Sequence, residues 1–214
     1  MRIPAKERAS LAETASLAAR HDFDSLSTRS EIEVRPARYS ELSVLADIAH
    51  RLVPGVQVTE PALGKYYTFD PECLLTFSRQ ERLLGGMAFL YLNSRGHDAL
   101  IRGEMSLTHP DIGLLSARND EVSAIYIWAI AATGRGIAGL GKAAAHLRAP
   151  RYVNADCFAR PSTMAGRDLL MATGFRQMPS FQPDLWHYQR PWNRLPANMP
   201  VSNVSAGSFA DARQ

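Results

Sequence analysis

The period of the apolar positions changes along the chain, and each change marks an element. Ile32, Val34 and Pro36 alternate with polar residues as a short first strand, and Ser40 follows where a helix cap is wanted. Leu42, Leu45, Ala46, Ala49, Leu52 and Val53 then recur at helical spacing on one face until Pro54-Gly55 ends the run. Val56 to Pro71 keeps no period and reads as irregular, with a Tyr66-Tyr67 pair suited to plugging a core edge or to lining a substrate entrance. CLLTFS (73–78) and GMAFLYL (86–92) read as an antiparallel hairpin joined by the turn RQERLLG. Asn93 to Val122 is a Gly- and Asp-punctuated excursion with room for another helix or strand, of a length that functional loops often have. AIYIWAIAAT (124–133) is apolar on both faces, as a central strand must be. YVNADCFA (152–159) reads as a second central strand and Trp186 to Tyr188 as a short last one.

The two ends break this pattern. Residues 1–32 are rich in Ala, Ser, Arg and Glu, and Leu11, Ala15 and Ala18 form one thin helical stripe, so this part reads as a helical or flexible extension. Residues 191–214 collect Pro, Asn, Ser and Gly with few apolar anchors, a composition that does not offset its ordering entropy and reads as a disordered tail. The folded domain is therefore expected over 33–190. At 214 residues, with 46% apolar and 21% charged types, one soluble core is the expectation.

Charge and cysteine narrow the partners. The net charge of +3 is spread along the chain rather than clustered, which argues against a dedicated nucleic-acid binder. The basic N-terminus is interrupted by Glu7 and Glu13 before a signal-peptide core accumulates, and no run approaches 18 apolar residues, so no membrane span is expected. Cys73 and Cys157 are far apart and belong to no metal-binding or disulfide spacing, which fits a reducing cytoplasm. His97, His109 and His146 have no spaced partners that would read as a metal site or a nucleophilic triad.

The segment richest in chemistry is AIYIWAIAATGRGIAGLGKAAAHLRA (124–149): a buried strand, a glycine turn, then an Ala-rich helix closed by Pro150. That order suits anion binding, because Gly134, Gly136, Gly139 and Gly141 let backbone N–H groups approach a phosphate at a helix N-terminus. Arg135 and Lys142 add positive charge. Gly134-x-Gly136-x-x-Gly139 also matches the dinucleotide fingerprint, with Asp156 near the place of a ribose-binding acid. On that reading the chain is an NAD(P)-dependent oxidoreductase.

RGIAGLGKAAAHL resembles the acyl-CoA pyrophosphate loop and following helix of the GNAT N-acetyltransferase superfamily, and ARPSTMAGRDLLMATGF (159–175) resembles that family's segment from the fifth strand through a helix to Gly-Phe. There Ser162 would cap the helix, Gly174 would end it in the left-handed conformation and Phe175 would return to the core. The resemblance spans about residues 33–190. It implies a mixed α/β sheet whose fourth and fifth strands splay apart to admit the pantetheine arm of acetyl-CoA or another acyl-CoA. The arm would meet backbone at Ile130, Ala131 and Ala132. The phosphates would meet Arg135, Gly136, Ala138, Gly139, Gly141 and Lys142, with Thr163 near the coenzyme.

The same resemblance implies N-acylation of a primary amine on a small molecule or protein, with Glu121 as the base and Asp120 beside it as the alternative. Leu170 stands where the family often has a Tyr acid, which leaves Ser162, Cys157 and Tyr126 as candidates or opens the reading of a binding protein without catalysis. The acceptor would be chosen by Val56 to Pro71 and Asn93 to Val122. There Lys65, Tyr66 and Tyr67 suit an aromatic or anionic molecule, and Glu104 and Asp111 a cationic one. The slightly basic balance admits an aminoacyl-tRNA acceptor, and a homodimer is compatible with everything above.

Overall fold

Seven strands hydrogen-bond into one sheet: β1 (Glu33–Pro36), β2 (Leu74–Arg79), β3 (Arg82–Leu92), β4 (Ala124–Ala132), β5 (Asp156–Ala159), β6 (Arg176–Gln177) and β7 (Trp186–Tyr188). The computed structural model describes residues 31–54 and 58–190. The spatial order is β1-β2-β3-β4-β5-β7-β6, and only the β4–β5 pair is parallel. β4 lies between β3 and β5, as its two apolar faces require. The expected extension up to residue 30 and the expected tail from residue 191 lie outside the described residues. Ile32, one residue ahead of the expected boundary, is buried.

Five α-helices are seen among the described residues: α1 (Leu42–Leu52), α2 (Glu60–Phe69), α3 (Ser94–Ile101), α4 (Leu140–His146) and α5 (Met164–Ala172). α1 buries Leu42, Leu45, Ala46 and Ala49 from the expected face, together with Ile48. Its entry differs from expectation. Ser40 lies inside a 3-10 turn, Tyr39–Glu41, and the Glu41 carboxylate does the capping by accepting the Arg38 N–H at 2.8 Å. The Arg35 guanidinium holds that carboxylate with two bonds of 2.9 and 2.6 Å, which lowers the Glu41 pKa.

The segment expected to be irregular contains α2. Thr59 Oγ1 accepts the Ala62 N–H, Pro61 sits in the first turn, and Leu63 and Tyr66 are buried. Gly64, Tyr66, Tyr67 and Thr68 are weak helix formers, so tertiary packing decides this helix. Tyr66 takes the core role: it is buried and donates its hydroxyl to the Pro110 carbonyl at 3.1 Å.

The β2–β3 hairpin is present with a much shorter link than expected. Only Gln80 and Glu81 turn, both in the left-handed region (φ +50° and +61°), and Arg82–Gly85 belong to β3. The expected strand at 152–159 is also shorter: Ala149 to Ala155 form hydrogen-bonded turns, and β5 begins at Asp156. Within the long excursion α3 is capped by Asn93, which accepts the Gly96 N–H at 2.9 Å. Among the described residues no helix is long and apolar enough to cross a membrane.

Candidate functional site

A difference in strand length creates the site. β4 and β5 pair from Ala124↔Asp156 to Ile127↔Ala159, and then β5 ends at Arg160-Pro161. Proline cannot continue the ladder, whereas β4 runs on through apolar residues to Ala132. Beyond Ile127, β4 keeps β3 on one side and, among the described residues, has no strand on the other. Backbone groups on that free edge need partners. This is the splay that the family resemblance implied, and Ile130, Ala131 and Ala132 lie on the stretch it frees.

A cleft of about 570 Å³ opens along that edge. Tyr126 to Ile130 form its floor, Thr163, Ala165, Leu169 and Leu170 of the α5 region one wall, and Leu52, Val53, Pro54 and Val58 another. Thr108, Arg160 and Ser162 supply polar groups at its lining, and no Asp or Glu does so among the described residues. Thr163, rather than Ser162, caps α5: its Oγ1 accepts the Gly166 N–H at 2.9 Å. Gly174 ends that region at φ +90° and Phe175 packs against Tyr188, as expected.

The floor is pinned at one point. The β3–β4 register slips between Ala88 and Phe89, so Trp128 is an extra residue in β4. Its indole N–H donates to the Leu107 carbonyl at 2.6 Å, and its ring meets Tyr66 edge-on at 5.2 Å. The strand, α2 and the 107–110 segment are thereby held together at the cleft.

The glycine segment forms a 3-10 turn, Gly134–Gly139, leading into α4. Its glycines do different work. Gly134 has φ +53° with open space beside it, and Gly141 is exposed and open. Gly136 and Gly139 are buried: a Cβ would meet Leu84 at 3.0 Å in the first and the Phe77 ring at 2.8 Å in the second. Those two let the turn pack on the sheet, and only the others leave room for a ligand. Arg135 and Ala138 are exposed on the turn. Lys142 is ion-paired with Glu31 at 2.5 Å, which lowers the Glu31 pKa.

Glu121 is not brought to the cleft. It is exposed three residues ahead of β4 and is not among the residues that line the cleft. Asp120 is exposed beside it. Tyr126 does line the cleft; it is buried, burial pushes its phenol up to about 12, and its hydroxyl has no hydrogen-bond partner among the described residues. Cys157 is buried in β5 and its thiol is pushed up to about 11, chiefly by burial, so it stays protonated.

One pair escaped the sequence reading. His109 Nδ1 lies 3.2 Å from Thr108 Oγ1, and Thr108 lines the cleft. No motif flags two adjacent residues in a loop; only the packing of 107–110 against Trp128 brings Thr108 to the cleft, with His109 hydrogen-bonded beside it. Glu104 is paired with Arg102 at 3.0 Å, and Asp111 accepts the Gly113 N–H, so both acids are engaged locally.

The dinucleotide reading fails on topology. Asp156 begins β5, at the end of the sheet opposite the glycine turn, and its carboxylate accepts the Arg190 N–H and meets His187 Nε2 at 3.2 Å. A ribose-binding acid must stand beyond the C-terminal end of its strand, beside the glycine turn.

No protein-family model matches this sequence, and no curated protein matches it. Solved structures do. The loading GNATL domain of CurA from Lyngbya majuscula is 11% identical, with 75% of this chain and 98% of that one covered and a TM-score of 0.56. The GphF GNAT-like decarboxylase, in complex with isobutyryl-CoA, is 17% identical over 68% and 73% with a TM-score of 0.46. A GNAT family acetyltransferase from Brucella melitensis, in complex with acetyl-CoA, is 13% identical over 74% and 88% with a TM-score of 0.44. The first of these likenesses, taken with the splayed β4–β5 pair, gives the chain the GNAT fold.

Proposed function

We propose that this GNAT-fold chain is an acyl-CoA-dependent N-acyltransferase, moving a short acyl group from coenzyme A to a primary amine. The observation that carries this reading is the free edge of β4 from Trp128 to Ala132 beside a cleft of about 570 Å³. An extended amide-bearing arm hydrogen-bonds to such an edge as an added strand does. Ile130, Leu169 and Leu170 flank the arm, and the open part of the glycine turn, with Arg135, faces the phosphates.

Acyl transfer requires removal of a proton from the ammonium and return of one to the departing thiolate. The Tyr126 hydroxyl stays protonated through neutral pH because its phenol is held near 12, and it donates to the leaving sulfur. His109, hydrogen-bonded to the cleft-lining Thr108, takes the ammonium proton. Glu121 does not line the cleft and is given no part in this scheme. The thioester carbonyl that the amine attacks is polarised by the free backbone N–H groups of β4.

Calorimetric titration with acetyl-CoA, free CoA and NADPH tests the reading. Saturable binding of the two CoA species and none of NADPH is expected, and Ala165→Trp, which fills the cleft from α5, should abolish it in a folded protein. Binding of NADPH alone would overturn it. A second reading, a GNAT-fold binding protein without catalysis, draws on the absence of any Asp or Glu lining the cleft among the described residues and on Leu170 in the acid position. It keeps CoA binding and predicts no turnover with any amine in an acceptor screen.

A further inference from the structure

Among the described residues the cleft lining carries a single charged side chain, Arg160. A break in the strand puts it there. β5 ends at Ala159 and Pro161 cannot extend the ladder, so Arg160 is the first residue past the last β4–β5 pair, Ile127↔Ala159. Arg35, Arg102, Arg151 and Arg167 each sit on a carboxylate. Arg160 has no such partner among the described residues, and the rest of the lining offers hydroxyl groups, an indole and hydrocarbon.

Position gives this charge a task. An arm lying on the free edge of β4, with its phosphates at the glycine turn, runs back from Ala132 and stops where β4 rejoins β5. Its thioester end then falls beside Tyr126 and Arg160. Burial raises the Tyr126 phenol and the Arg160 guanidinium draws it back down, so the two side chains share one field. An incoming ammonium meets the same field. With no lining carboxylate to offset it, the guanidinium repels a plain cationic amine and favours an acceptor that brings its own negative charge.

We infer that the acceptor is a free amino acid, held through its carboxylate by the Arg160 guanidinium, an inference that rests on the acyltransferase reading. The planar fork of guanidinium donors matches a carboxylate with two parallel bonds. A phosphate would bring nearly two negative charges, about 1.5–2, against one guanidinium. Leu52, Val53 and Leu107 line the same cleft, so the side chain that fits is apolar. As the amide C–N bond forms and the thioester C–S bond breaks, the ammonium loses two protons, one of which ends on the departing thiol. The carboxylate keeps its charge and its partner throughout.

The test is an acylation assay with acetyl-CoA on acceptors matched in their hydrocarbon part, namely leucine, leucinamide and isopentylamine, with aminoethyl phosphate as the phosphate arm. Free CoA, acetyl-CoA and succinyl-CoA are titrated by calorimetry in parallel. The kcat/KM for leucine should exceed that for leucinamide and isopentylamine at least tenfold, with the gap carried by KM. Arg160→Gln should close the gap, Arg160→Lys should restore part of it, and Arg160→Glu should turn it over in favour of isopentylamine. Equal kcat/KM across the matched set, a gap that Arg160→Gln leaves in place, an equal fall on every acceptor, or a preference for the phosphate overturns the assignment while the acyltransferase reading stands. Tenfold tighter binding of succinyl-CoA than of acetyl-CoA that is lost in Arg160→Gln puts the anion on the donor and also overturns it. Binding of CoA with turnover of no acceptor overturns the assignment in favour of the binding-protein reading, and no binding of CoA overturns both.

Discussion

Gly139 is packed directly against the Phe77 ring. A Cβ at Gly139 would meet Phe77 Cγ and Cδ1 at 2.8 Å and Val34 Cγ2 at 3.2 Å, and Phe77 is wholly buried with no route to move aside. Gly139→Ala should therefore destabilise the fold by about 1–3 kcal/mol, the usual cost of overpacking. Gly141→Ala, in α4 with open space at the Cβ position, should stabilise by up to about 1 kcal/mol through helix propensity. Urea denaturation of the two variants decides the matter, and equal effects would show that the glycines are not divided between packing and ligand space.

Tyr126→Phe removes the one buried phenol at the cleft while keeping its ring. The turnover number for amine acylation should fall about 10²-fold, with the KM for acyl-CoA unchanged. Because the wild-type phenol ionises only near 12, it should impose no alkaline limb on the rate profile below about pH 11. A Phe variant with undiminished turnover would remove Tyr126 from the chemistry.

Stability should depend on pH at the alkaline end. Burial pushes Cys157 up to about 11 and is the leading cause that carries Tyr126 and Tyr152 to about 12, from ordinary values of 9.0 and 10.0. The fold favours the neutral forms, so their contribution is complete below about pH 9 and is lost as pH rises through the folded values. Melting temperatures should be level from pH 7 to about 8.5 and drop steadily above that. A flat profile to pH 11 would contradict the burial of these groups.

Away from the cleft, Arg151 Nη1 lies 2.7 Å from Asp70 Oδ2, and the Asp70 side chain is only 3% exposed. The guanidinium also lies 5.2 Å from the Tyr91 and Tyr152 ring centroids and donates to the Ala117 carbonyl. Arg151→Ala strands a buried carboxylate and should cost about 3–5 kcal/mol. Adding Asp70→Asn, which keeps the bond from the Glu72 N–H, should recover part of that loss. A double-mutant cycle by chemical denaturation measures the recovery, and strict additivity would show that the two charges are not coupled.

Much of this architecture is legible residue by residue. α1 follows from the spacing of Leu42, Leu45, Ala46 and Ala49, β4 from an unbroken apolar run, and the hairpin from two apolar stretches around a polar turn. α2 is not legible, because Gly64 and the paired tyrosines hide a helix that is held by packing on α1 and on Trp128. The site is legible only in outline. The splayed edge at Ile130 to Ala132 is where the family resemblance implies it, whereas Gly136 and Gly139 serve the sheet, Lys142 is held by Glu31, and Glu121 does not line the cleft.

What the amino-acid order determines by itself is local: which stretches are helix or strand, and that a buried strand, a glycine turn and a helix follow one another. Side chains two to four residues apart fix these through backbone geometry alone. Tertiary structure decides the rest. β5 stops four residues after it begins while β4 continues, and that mismatch opens the cleft. A bulge at Trp128 shapes the cleft floor, and the packing of 107–110 carries Thr108 to the cleft. These outcomes depend on strand register and on contacts between residues far apart in the chain, which no local spacing encodes.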